Sequence, residues 1–559
     1  MPNKKFALLL SAGVAVLASP AFAQGGASEP GETAESIGVA DIIVTARKRA
    51  ESLQNVPLSI TGIGAEEIAD RDISSIGSID TLAPAVFVET AAGPTTSGVV
   101  ANIRGIGGSD STGVSDYPIA MYIDGVLMSR PNALLFDMVD LERIEVLRGP
   151  QGTLFGRNTT GGAINIFTKG PSDTFGLQEK VTLGTDNLFK SRTTLDTGQW
   201  GESGLSAKLA YSHEQQSGYV KNRWKGGTAD PGARNSESGF LAIHGDVSSA
   251  FRFDIRADVT SARNAPLWQQ LSAMKPLQYQ YFSQSAALGG APLVLQNHYS
   301  DKVTVASQPR GKQTIWGTSL TMEYEVSDAL TLKSITGYRR FKESQAVNNG
   351  GQGVLMGKLL DGSVGRVYMF DYPDPARARD RQFSQEFQVT GTVSDFDYVV
   401  GLYYFDQKYD STTTQRFTYV VPFSATDIRG SNLVNFRDYE TRSKSYAAFT
   451  QVSWKPSSIE GLELTGGLRY THDKKELAQA NYYNGAALKP GLGKNSWNNL
   501  SWLGSVTYRV SPEVLVYARV STAYRAGGFD AGGSGNPNGY DPEKAISYEA
   551  GIKTDLLDR

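Results

Sequence analysis

Apolar and polar side chains alternate with a period of two over most of the chain after about residue 175. In the segment 252–259, Phe, Ile, Ala and Val occupy every second position, and Arg and Asp occupy the positions between them. The segments 205–212 and 462–470 show the same alternation, with Leu and Tyr prominent on one face. Because successive side chains of a strand point to opposite faces, this pattern predicts strands with one apolar and one polar face.

The alternation predicts fourteen strands whose connections differ systematically in length. Short turns such as 248–250 and 394–395 alternate with connections of roughly 15 to 50 residues. Outer-membrane barrels show this asymmetry, with short periplasmic turns and long extracellular loops. A secreted sandwich or β-helix, the alternative class, has no reason to sort its loops in this way. The predicted strands span 175–184, 188–197, 204–213, 237–248, 252–263, 314–325, 330–342, 381–393, 396–407, 440–455, 461–474, 497–510, 513–527 and 543–557.

The first 170 residues lack this pattern and divide into three parts. Residues 1–23 carry two lysines, a short apolar run and Ala-Phe-Ala, which predicts a cleaved secretory signal. The run is shorter than the roughly 20 apolar residues that a transmembrane anchor, the alternative, requires. Residues 24–40 are small and polar without periodicity, which predicts a disordered tail, and the flexible segment as a whole is predicted to span 24–50. Residues 51–170 combine a helical start with short strands and glycine-rich turns, which predicts a compact α+β domain.

Composition narrows the possible function classes. The 559 residues include 60 glycines and 10% aromatic residues, which suits extensive β-structure with many turns. The absence of cysteine excludes disulfides, thiolate metal sites and a cysteine nucleophile. The four histidines are too far apart for a local metal motif, and a net charge of −3 gives no basic footprint for nucleic acid. No stretch after residue 23 is apolar enough for a membrane helix, so a fold that spans a bilayer would have to be a β-barrel.

Two glycine-rich stretches only partly match nucleotide-binding motifs. Residues 156–163 have the G-x-x-x-x-G spacing of a phosphate-binding loop, but Gly162 and Ala163 stand where Lys and Ser or Thr are required. Residues 103–108 do not extend to a full G-x-G-x-x-G motif, because position 110 is Asp. No G-x-S-x-G nucleophile elbow occurs. We therefore expect no cofactor, no metal and no catalytic site, and the protein is not expected to be an enzyme.

Several segments resemble the TonB-dependent outer-membrane receptors. The β-prone segment 41–46 is similar to the TonB box, although it could also be the first strand of the next domain. The run 141–166 resembles the end of the plug domain of that family, and 523–529 with 542–553 resemble a late pair of barrel strands. The residues similar to the TonB box are Asp41, Ile42, Ile43, Val44, Thr45 and Ala46. The residues that resemble the plug signature are Arg104, Gly105, Asp124, Gly125, Glu142, Arg143, Glu145, Arg148, Gly149, Pro150, Gly156, Gly161, Gly162 and Asn165.

The resemblance implies a fold, a location and a mechanism. The fold would be mainly β, with an N-terminal α+β plug inside a transmembrane antiparallel β-barrel in the outer membrane of a Gram-negative bacterium. TonB, acting with ExbB and ExbD in the inner membrane, would pull on the box and open a path for a scarce solute. A ferric siderophore is the first expectation, and a carbohydrate, cobalamin or an aromatic compound are alternatives. The receptor is expected to be a monomer surrounded by outer-membrane lipid; a passive porin-like channel is a rival interpretation.

Two groups of side chains leave alternatives open. The charged plug residues Glu142, Arg143, Glu145 and Arg148 could pair with polar residues that face the barrel lumen, or with one another inside the plug. The longest predicted loops lie near 264–313 and 343–380. Aromatic residues of the first loop could form a surface that captures the solute, or could simply pack the loop. They are Trp268, Tyr279, Tyr281, Phe282 and Tyr299.

The predicted barrel, 171–559, is short for a transporter with a plug. The large plugged outer-membrane transporters have 22 strands, so about eight strands, or about 220 residues, would be missing. We therefore expect a C-terminally truncated chain, and a truncated product without function is a further alternative. A barrel of fourteen strands could also close by itself, since barrels of many even sizes exist.

Overall fold

The computed structural model describes residues 42–71, 73, 83–90, 99–108, 114–130, 140–224, 229–306 and 310–555. The predicted signal segment 1–23, the tail up to Asp41 of the predicted TonB box, and residues 556–559 lie outside the described residues. In the described ranges, no helix has both the length and the apolar character needed to cross a membrane.

In its described residues, the N-terminal domain contains ten short strands, one short α-helix and one 3-10 turn. A five-stranded mixed sheet lies at its centre. The strands are β1 (Ile43–Val44), β2 (Glu51–Ser52), β3 (Ile60–Gly64), β4 (Val86–Thr90), β5 (Val99–Ile103), β6 (Ile106–Gly107), β7 (Ile119–Ile123), β8 (Val126–Met128), β9 (Leu141–Arg148) and β10 (Gly162–Thr168). The helices are α1 (Ala65–Asp70) and a 3-10 turn (Leu53–Asn55).

The central sheet has the order β3-β9-β10-β7-β8, in which only the β10–β7 pair is parallel. β4, β5 and β6 form a separate antiparallel sheet. Ile144, Val146, Ile164 and Ile166 of β9 and β10 are completely buried in one apolar core. A strand covered on both faces is expected to be apolar at nearly every position, and β10 is.

The remaining chain forms one long antiparallel meander with small additions in its loops. The meander strands are β11 (Phe175–Gly184), β12 (Leu188–Gln199), β13 (Leu205–Gln216), β15 (Arg234–Asp246), β16 (Phe251–Ala262), β18 (Lys312–Ser327), β19 (Leu330–Asn348), β22 (Asp371–Val393), β23 (Phe396–Pro422), β24 (Ile428–Trp454), β25 (Leu462–Tyr483), β27 (Gly491–Ser511), β28 (Val514–Arg525) and β31 (Glu543–Thr554). The additions are β14 (Lys221–Asn222), α2 (Pro276–Phe282), a 3-10 turn (Ser283–Ser285), β17 (Lys302–Val303), β20 (Leu355–Lys358), β21 (Val364–Val367), β26 (Ala486–Ala487), β29 (Gly528–Asp530) and β30 (Asn538–Tyr540).

The fourteen predicted strands are confirmed as the fourteen strands of this meander, each paired with its neighbours in sequence. Tight turns such as 328–329 and 394–395 join them at one end. Within the described ranges, β11 pairs only with β12, and β31 pairs only with β28, so the sheet has two unpaired edges.

Several strands extend well beyond their predicted ends on the side of the long connections. The predicted loop of about 32 residues between 407 and 440 is wrong, because β23 and β24 continue through it and leave only 423–427 as a turn. Likewise the predicted loop 343–380 shrinks to 349–370. Both faces of these extensions mix polar and apolar residues, so the alternation that reveals a half-apolar strand is lost while the hydrogen-bond ladder continues.

The polar face of the meander is buried and its apolar face is exposed, which is the reverse of a water-soluble β-sandwich. On β13, Lys208 is 1% exposed whereas Tyr211 is 49% exposed. On β25, Arg469 is buried and Tyr470 is exposed. The polar faces surround the N-terminal domain and the apolar faces point outward, as in a membrane barrel. A secreted sandwich would bury its apolar faces instead.

Candidate functional site

The segment that resembles a TonB box is docked on the plug in this structure. β1 pairs antiparallel with β2. Val44 is completely buried, and Ala46 is almost so, in an apolar cluster that includes Val56 and Leu58. Residues 42–50, the last part of the segment predicted to be flexible, are packed on the plug in this structure, because Val44 and Ala46 have an apolar surface on which to lie.

Gly62 of β3 makes this docking sterically possible. A Cβ atom at Gly62 would lie 2.7 Å from Cγ2 of Ile42 and 3.0 Å from Cδ1 of Leu53. Carbon atoms without a bond between them do not approach so closely. The missing side chain therefore lets residues 42–46, the docked segment, lie directly against the edge of the plug sheet.

Glu145 joins the docked segment to the plug sheet. Its carboxylate is completely buried, and Oε1 accepts hydrogen bonds from the amide of Thr45 at 2.8 Å and from its hydroxyl at 3.2 Å. Arg143 donates from Nε to the same oxygen at 2.9 Å, and Asn165 donates from Nδ2 to Oε2 at 3.4 Å. Three predicted signature residues, Glu145, Arg143 and Asn165, thus meet at the carboxylate of Glu145, which in turn contacts Thr45 of the predicted box.

The other charged signature residues on β9 also find partners inside the plug. Glu142 pairs with Arg143. Arg148 donates to Oγ of Ser59 at 2.9 Å and to the carbonyl oxygen of Pro84 at 3.0 Å. Of the two alternatives for these charges, pairing within the plug is confirmed by these contacts.

Asp124 and Arg104 are the charged signature residues that contact the barrel wall. Asp124 accepts a hydrogen bond from Arg256 of β16 at 2.6 Å and from both the amide and the hydroxyl of Thr168 at 2.9 Å. Burial raises the pKa of Asp124 in spite of these partners. Arg104 lies 3.5 Å from Glu549 of β31. Asp124 therefore ties the end of the central plug sheet to the wall.

The signature glycines lie in tight backbone geometry. Gly156 and Gly162 have φ angles of 82° and 144°, which L side chains rarely adopt. A Cβ atom at Gly156 would also lie 2.7 Å from the guanidinium group of Arg469 on β25. The remaining signature residues, Gly105, Gly125, Gly149, Pro150 and Gly161, lie in turns and bends beside the plug strands.

A buried charge network also links the plug to β25 and β28. Asp116 lies 3.1 Å from Lys475, and Arg157 lies 3.5 Å from Asp473, which accepts a hydrogen bond from the hydroxyl of Tyr524 at 2.6 Å. Burial alone would raise the pKa of Asp116, but the charges of Lys475 and Arg157 outweigh it and hold the pKa well below its usual range. Removing one member would leave a buried charge without its partner, which is costly.

Three consecutive cations directly after the docked segment are site residues that the sequence motifs did not identify. Each forms an ion pair with a carboxylate of the barrel wall. The pairs are Arg47 with Glu463, Lys48 with Glu386 at 3.1 Å, and Arg49 with Asp397 at 2.9 Å. We call these six residues the cation clamp. Glu463 and Asp397 lie beside the tight turns of β25 and β23, so the clamp holds the docked segment at the tight-turn end of the barrel.

Replacing Arg47, Lys48 and Arg49 together with glutamine is expected to loosen the docked segment. Losing three partly buried ion pairs should lower the free energy of its local opening by about 2 kcal/mol. Hydrogen exchange of the amides of 43–46 in the purified protein should then accelerate about 30-fold. Arg71→Gln, which breaks an exposed pair with Glu67 on α1, is the control and should leave this exchange unchanged. Equal protection in the triple variant and the wild type would show that the clamp does not hold the segment.

The long loop between β16 and β18 buries part of its aromatic set. Tyr281 and Phe282 of α2 pack with Leu355 and Val420, which confirms loop packing for these two residues. Trp268 packs against a smaller apolar cluster. Tyr279 is half exposed and Tyr299 is 95% exposed, so these two remain candidates for contact with a solute. In the described parts of the chain, His, Asp and Glu side chains form no group of three or more that could hold a metal ion.

Comparison with known proteins agrees with this architecture. Residues 52–163 match the family model for the TonB-dependent receptor plug domain, and residues 266–559 match the model for the TonB-dependent receptor-like β-barrel. The pesticin receptor of Yersinia pestis is 23% identical over 534 residues, which cover 92% of this chain and 68% of that protein. The probable TonB-dependent siderophore receptor PiuA of Acinetobacter baumannii is 22% identical over 544 residues, covering 90% of this chain and 67% of that protein.

A solved structure shares the fold. The crystal structure of the ferric yersiniabactin uptake receptor FyuA from Yersinia pestis aligns with a TM-score of 0.71 at 18% sequence identity, covering 89% of this chain and 70% of that one. β-Barrel receptors related to the chain in this way are outer-membrane proteins. The family model for the β-barrel alone matches more than half of the residues of the chain. The match to the plug family model precedes it along the chain, in the same order as the two domains of the structure. The chain therefore belongs to the TonB-dependent receptor family.

Proposed function

We propose that the protein is an outer-membrane receptor that imports a scarce solute with energy delivered through TonB. The observation that carries this proposal is the docked segment, which is held by a few polar contacts at the tight-turn end of a barrel filled by a plug. A passive porin, the rival, needs neither a plug nor such a segment. The residues proposed to bind TonB are Ile42, Ile43, Val44, Thr45 and Ala46, together with Asp41, which lies outside the described residues.

The geometry suggests how a pull could reach the plug. Ile43 is nearly half exposed, and β1 has only the two-residue strand β2 as its partner among the described strands. TonB could therefore pair with this segment by strand addition. A pulling force on the segment would act first on the ion pairs of the cation clamp and on the hydrogen bonds between Thr45 and Glu145. Because Glu145 lies in β9 beside β10, tension that these contacts transmit would act directly on the centre of the plug sheet.

The proposed solute is a ferric siderophore. Two similar proteins carry names that point to siderophores, PiuA as a probable siderophore receptor and FyuA as a ferric yersiniabactin receptor. A carbohydrate, cobalamin or an aromatic compound are alternative solutes. The protein is proposed to act as a monomer in the outer membrane, with its signal peptide 1–23 removed, with ExbB and ExbD energising TonB, and without enzymatic activity.

Uptake by cells tests this proposal directly. The full chain should restore growth under iron limitation to a strain that lacks its own siderophore receptors, when a suitable ferric complex is the iron source. Ferric catecholate, hydroxamate and phenolate siderophores, with cobalamin as a non-iron solute, form the test panel. Uptake should disappear in an otherwise identical strain without TonB. Uptake that persists there would favour the porin, and uptake of cobalamin alone would refute the siderophore assignment.

A further inference from the structure

A cavity lies between the plug and the barrel wall near the tight-turn end of the barrel. About 360 Å³ of it is free of protein atoms, and part of this space is open to solvent. The plug contributes Arg47 and Gln151 to its lining, and the wall contributes Thr465 of β25, Ser505 of β27 and Arg519 of β28. No aspartate or glutamate is among the described residues that line it. We call this space the Arg519 cavity.

The guanidinium group of Arg519 is buried without an acidic partner. The residue is 9% exposed, and Nη2 donates a hydrogen bond to Oε1 of Gln151 at 3.1 Å. In the described part of the chain it forms no ion pair, and Glu549 of β31 attracts it only from a greater distance. Oε1 of Glu549 already accepts hydrogen bonds from the amide of Ser59 and the hydroxyl of Tyr517. Because a buried cation without a counter-ion is costly, the cavity favours an anion.

A hydroxyl group of the wall adds a second donor to the cavity. Ser505 stands directly opposite Arg519 in the ladder between β27 and β28. Its Oγ is buried and has no hydrogen-bond partner among the described residues. Side chains at directly opposed positions of a ladder lie close together, so one anion can contact both residues.

The polar face on another side of the wall treats its cations differently. Arg256 of β16 donates to Asp124 of the plug at 2.6 Å. Arg339 of β19 makes two hydrogen bonds of 2.7 Å to the carboxylate of Asp258. Both arginines therefore have their counter-charge within the protein, which Arg519 lacks.

Arg469 of β25 shares the condition of Arg519 and lies on its loop side. It is 3% exposed, donates to the hydroxyl of Thr471 at 3.3 Å and lies 5.1 Å from the ring centroid of Phe449. Among the described residues it too forms no ion pair. Four positions along β25 separate it from Thr465 at the cavity, which corresponds to about 13 Å. An anionic group that moves along this wall would meet Arg469 first and Arg519 next.

The plug side of the cavity can move without breaking the plug sheet. Arg47 directly follows the docked segment, and Gln151 lies in the turns between β9 and β10. Neither residue belongs to a strand of the central sheet. A pull on the docked segment would withdraw Ala46 and Arg47 from the lining while Arg519 stays on the wall. The cavity would then open toward the tight-turn end.

We propose that the Arg519 cavity is an anion-binding site on the exit side of the plug. At rest it holds a small inorganic anion such as chloride. During uptake, Arg519 receives an ionised acidic group of the solute, such as a carboxylate or a catecholate, because a guanidinium group suits bidentate contact with paired oxygens. This inference rests on the proposed transport, and it narrows the solute to complexes with a net negative charge.

Bromide, which replaces chloride in such sites, tests the resting site in the purified full chain. Crystals of the wild type grown in bromide should show an anomalous peak in contact with the guanidinium group of Arg519. The variant Arg519→Gln should lose this peak. The control Arg252→Gln removes an arginine from the polar face of β16 that pairs with Glu323, and it should keep the peak. Absence of the peak from the wild type would overturn the anion site.

Uptake by cells tests the role of the site in transport. The probes are a ferric catecholate complex, which is strongly anionic, and a neutral ferric hydroxamate complex. Uptake of the anionic complex should be at least tenfold slower in Arg519→Gln, with unchanged binding at the cell surface, because a charge-assisted contact is lost. Arg519→Lys keeps the charge and should retain most of the rate. Uptake of the neutral complex alone by the wild type, or equal rates in wild type and Arg519→Gln, would contradict this role.

The outcomes separate this inference from the proposed function. Retained heat-modifiability on gels shows that each variant is folded. If the wild type shows no TonB-dependent uptake while the bromide peak depends on Arg519, the proposed transport is wrong and the anion site stands. If uptake depends on TonB but not on Arg519, the proposed transport stands and the exit role of the site is wrong.

Discussion

Deletion of residues 42–46 is expected to abolish energised uptake while leaving solute binding at the cell surface intact. The deletion removes the strand that TonB is proposed to pair with, and a plug that cannot be pulled keeps the barrel interior filled. Uptake of the labelled solute should fall to the level of a strain without TonB. Binding to whole cells at low temperature, which needs no energy, should remain close to that of the wild type.

The deletion also removes the buried Val44 and Ala46, so it disturbs plug packing as well as pairing with TonB. A point variant that keeps both of these residues separates the two effects. Ile43 has an exposed side chain, and Ile43→Pro removes its backbone donor for strand pairing. Uptake should therefore fall sharply in Ile43→Pro, whereas Ile43→Ala, which keeps the donor, should transport almost normally. Normal uptake in both the deletion and the proline variant would point to a passive channel.

Glu145→Ala is expected to release the docked segment almost completely. Truncation would leave the amide of Thr45 without its buried acceptor and Arg143 with only the exposed Glu142 as an acidic partner, which costs about 3 kcal/mol. Exchange of the Thr45 amide should accelerate more than about 100-fold. A soluble TonB fragment should then bind the solute-free receptor more tightly than it binds the wild type, because the segment no longer has to be detached first.

Glu142→Ala provides a matched control for this experiment. Glu142 pairs with the same arginine from the same strand, but it is 48% exposed, and exposed ion pairs contribute less than about 1 kcal/mol. Glu145→Gln should be intermediate, since its amide oxygen can still accept from Thr45 while the charge opposite Arg143 is lost. Similar exchange rates in Glu142→Ala and Glu145→Ala would contradict a special role for the buried carboxylate.

The sequence predicts the barrel strands well where one face is apolar and the other is polar. Segments such as 252–259 and 462–470 carry that contrast because one face meets lipid and the other meets the plug. Residues 408–422 and 428–439 form strands without it, since polar and apolar residues are mixed on both of their faces. Alternation cannot distinguish such a strand from a loop, which explains why the predicted loops were too long.

The candidate site could be predicted only in part. The box and the plug signature were each recognisable from local sequence, but their meeting at Glu145 depends on the tertiary structure of the plug. The cation clamp joins residues as distant as Arg47 and Glu463, 416 positions apart, and neither residue shows its partner locally. The Arg519 cavity likewise brings together Gln151 of the plug and Arg519 of β28, which are 368 positions apart.

The meander also bears on how the chain reaches this structure. Every wall strand pairs with the strand before or after it, so the wall consists of local hairpins whose closure costs little chain entropy. The plug sheet differs, because Ile60 must find Leu147, and its ion pairs to the wall bridge hundreds of residues. Structures rich in local contacts fold faster than those dominated by distant ones. The wall can therefore grow hairpin by hairpin, and the seating of the plug within it becomes the slow, late event of assembly.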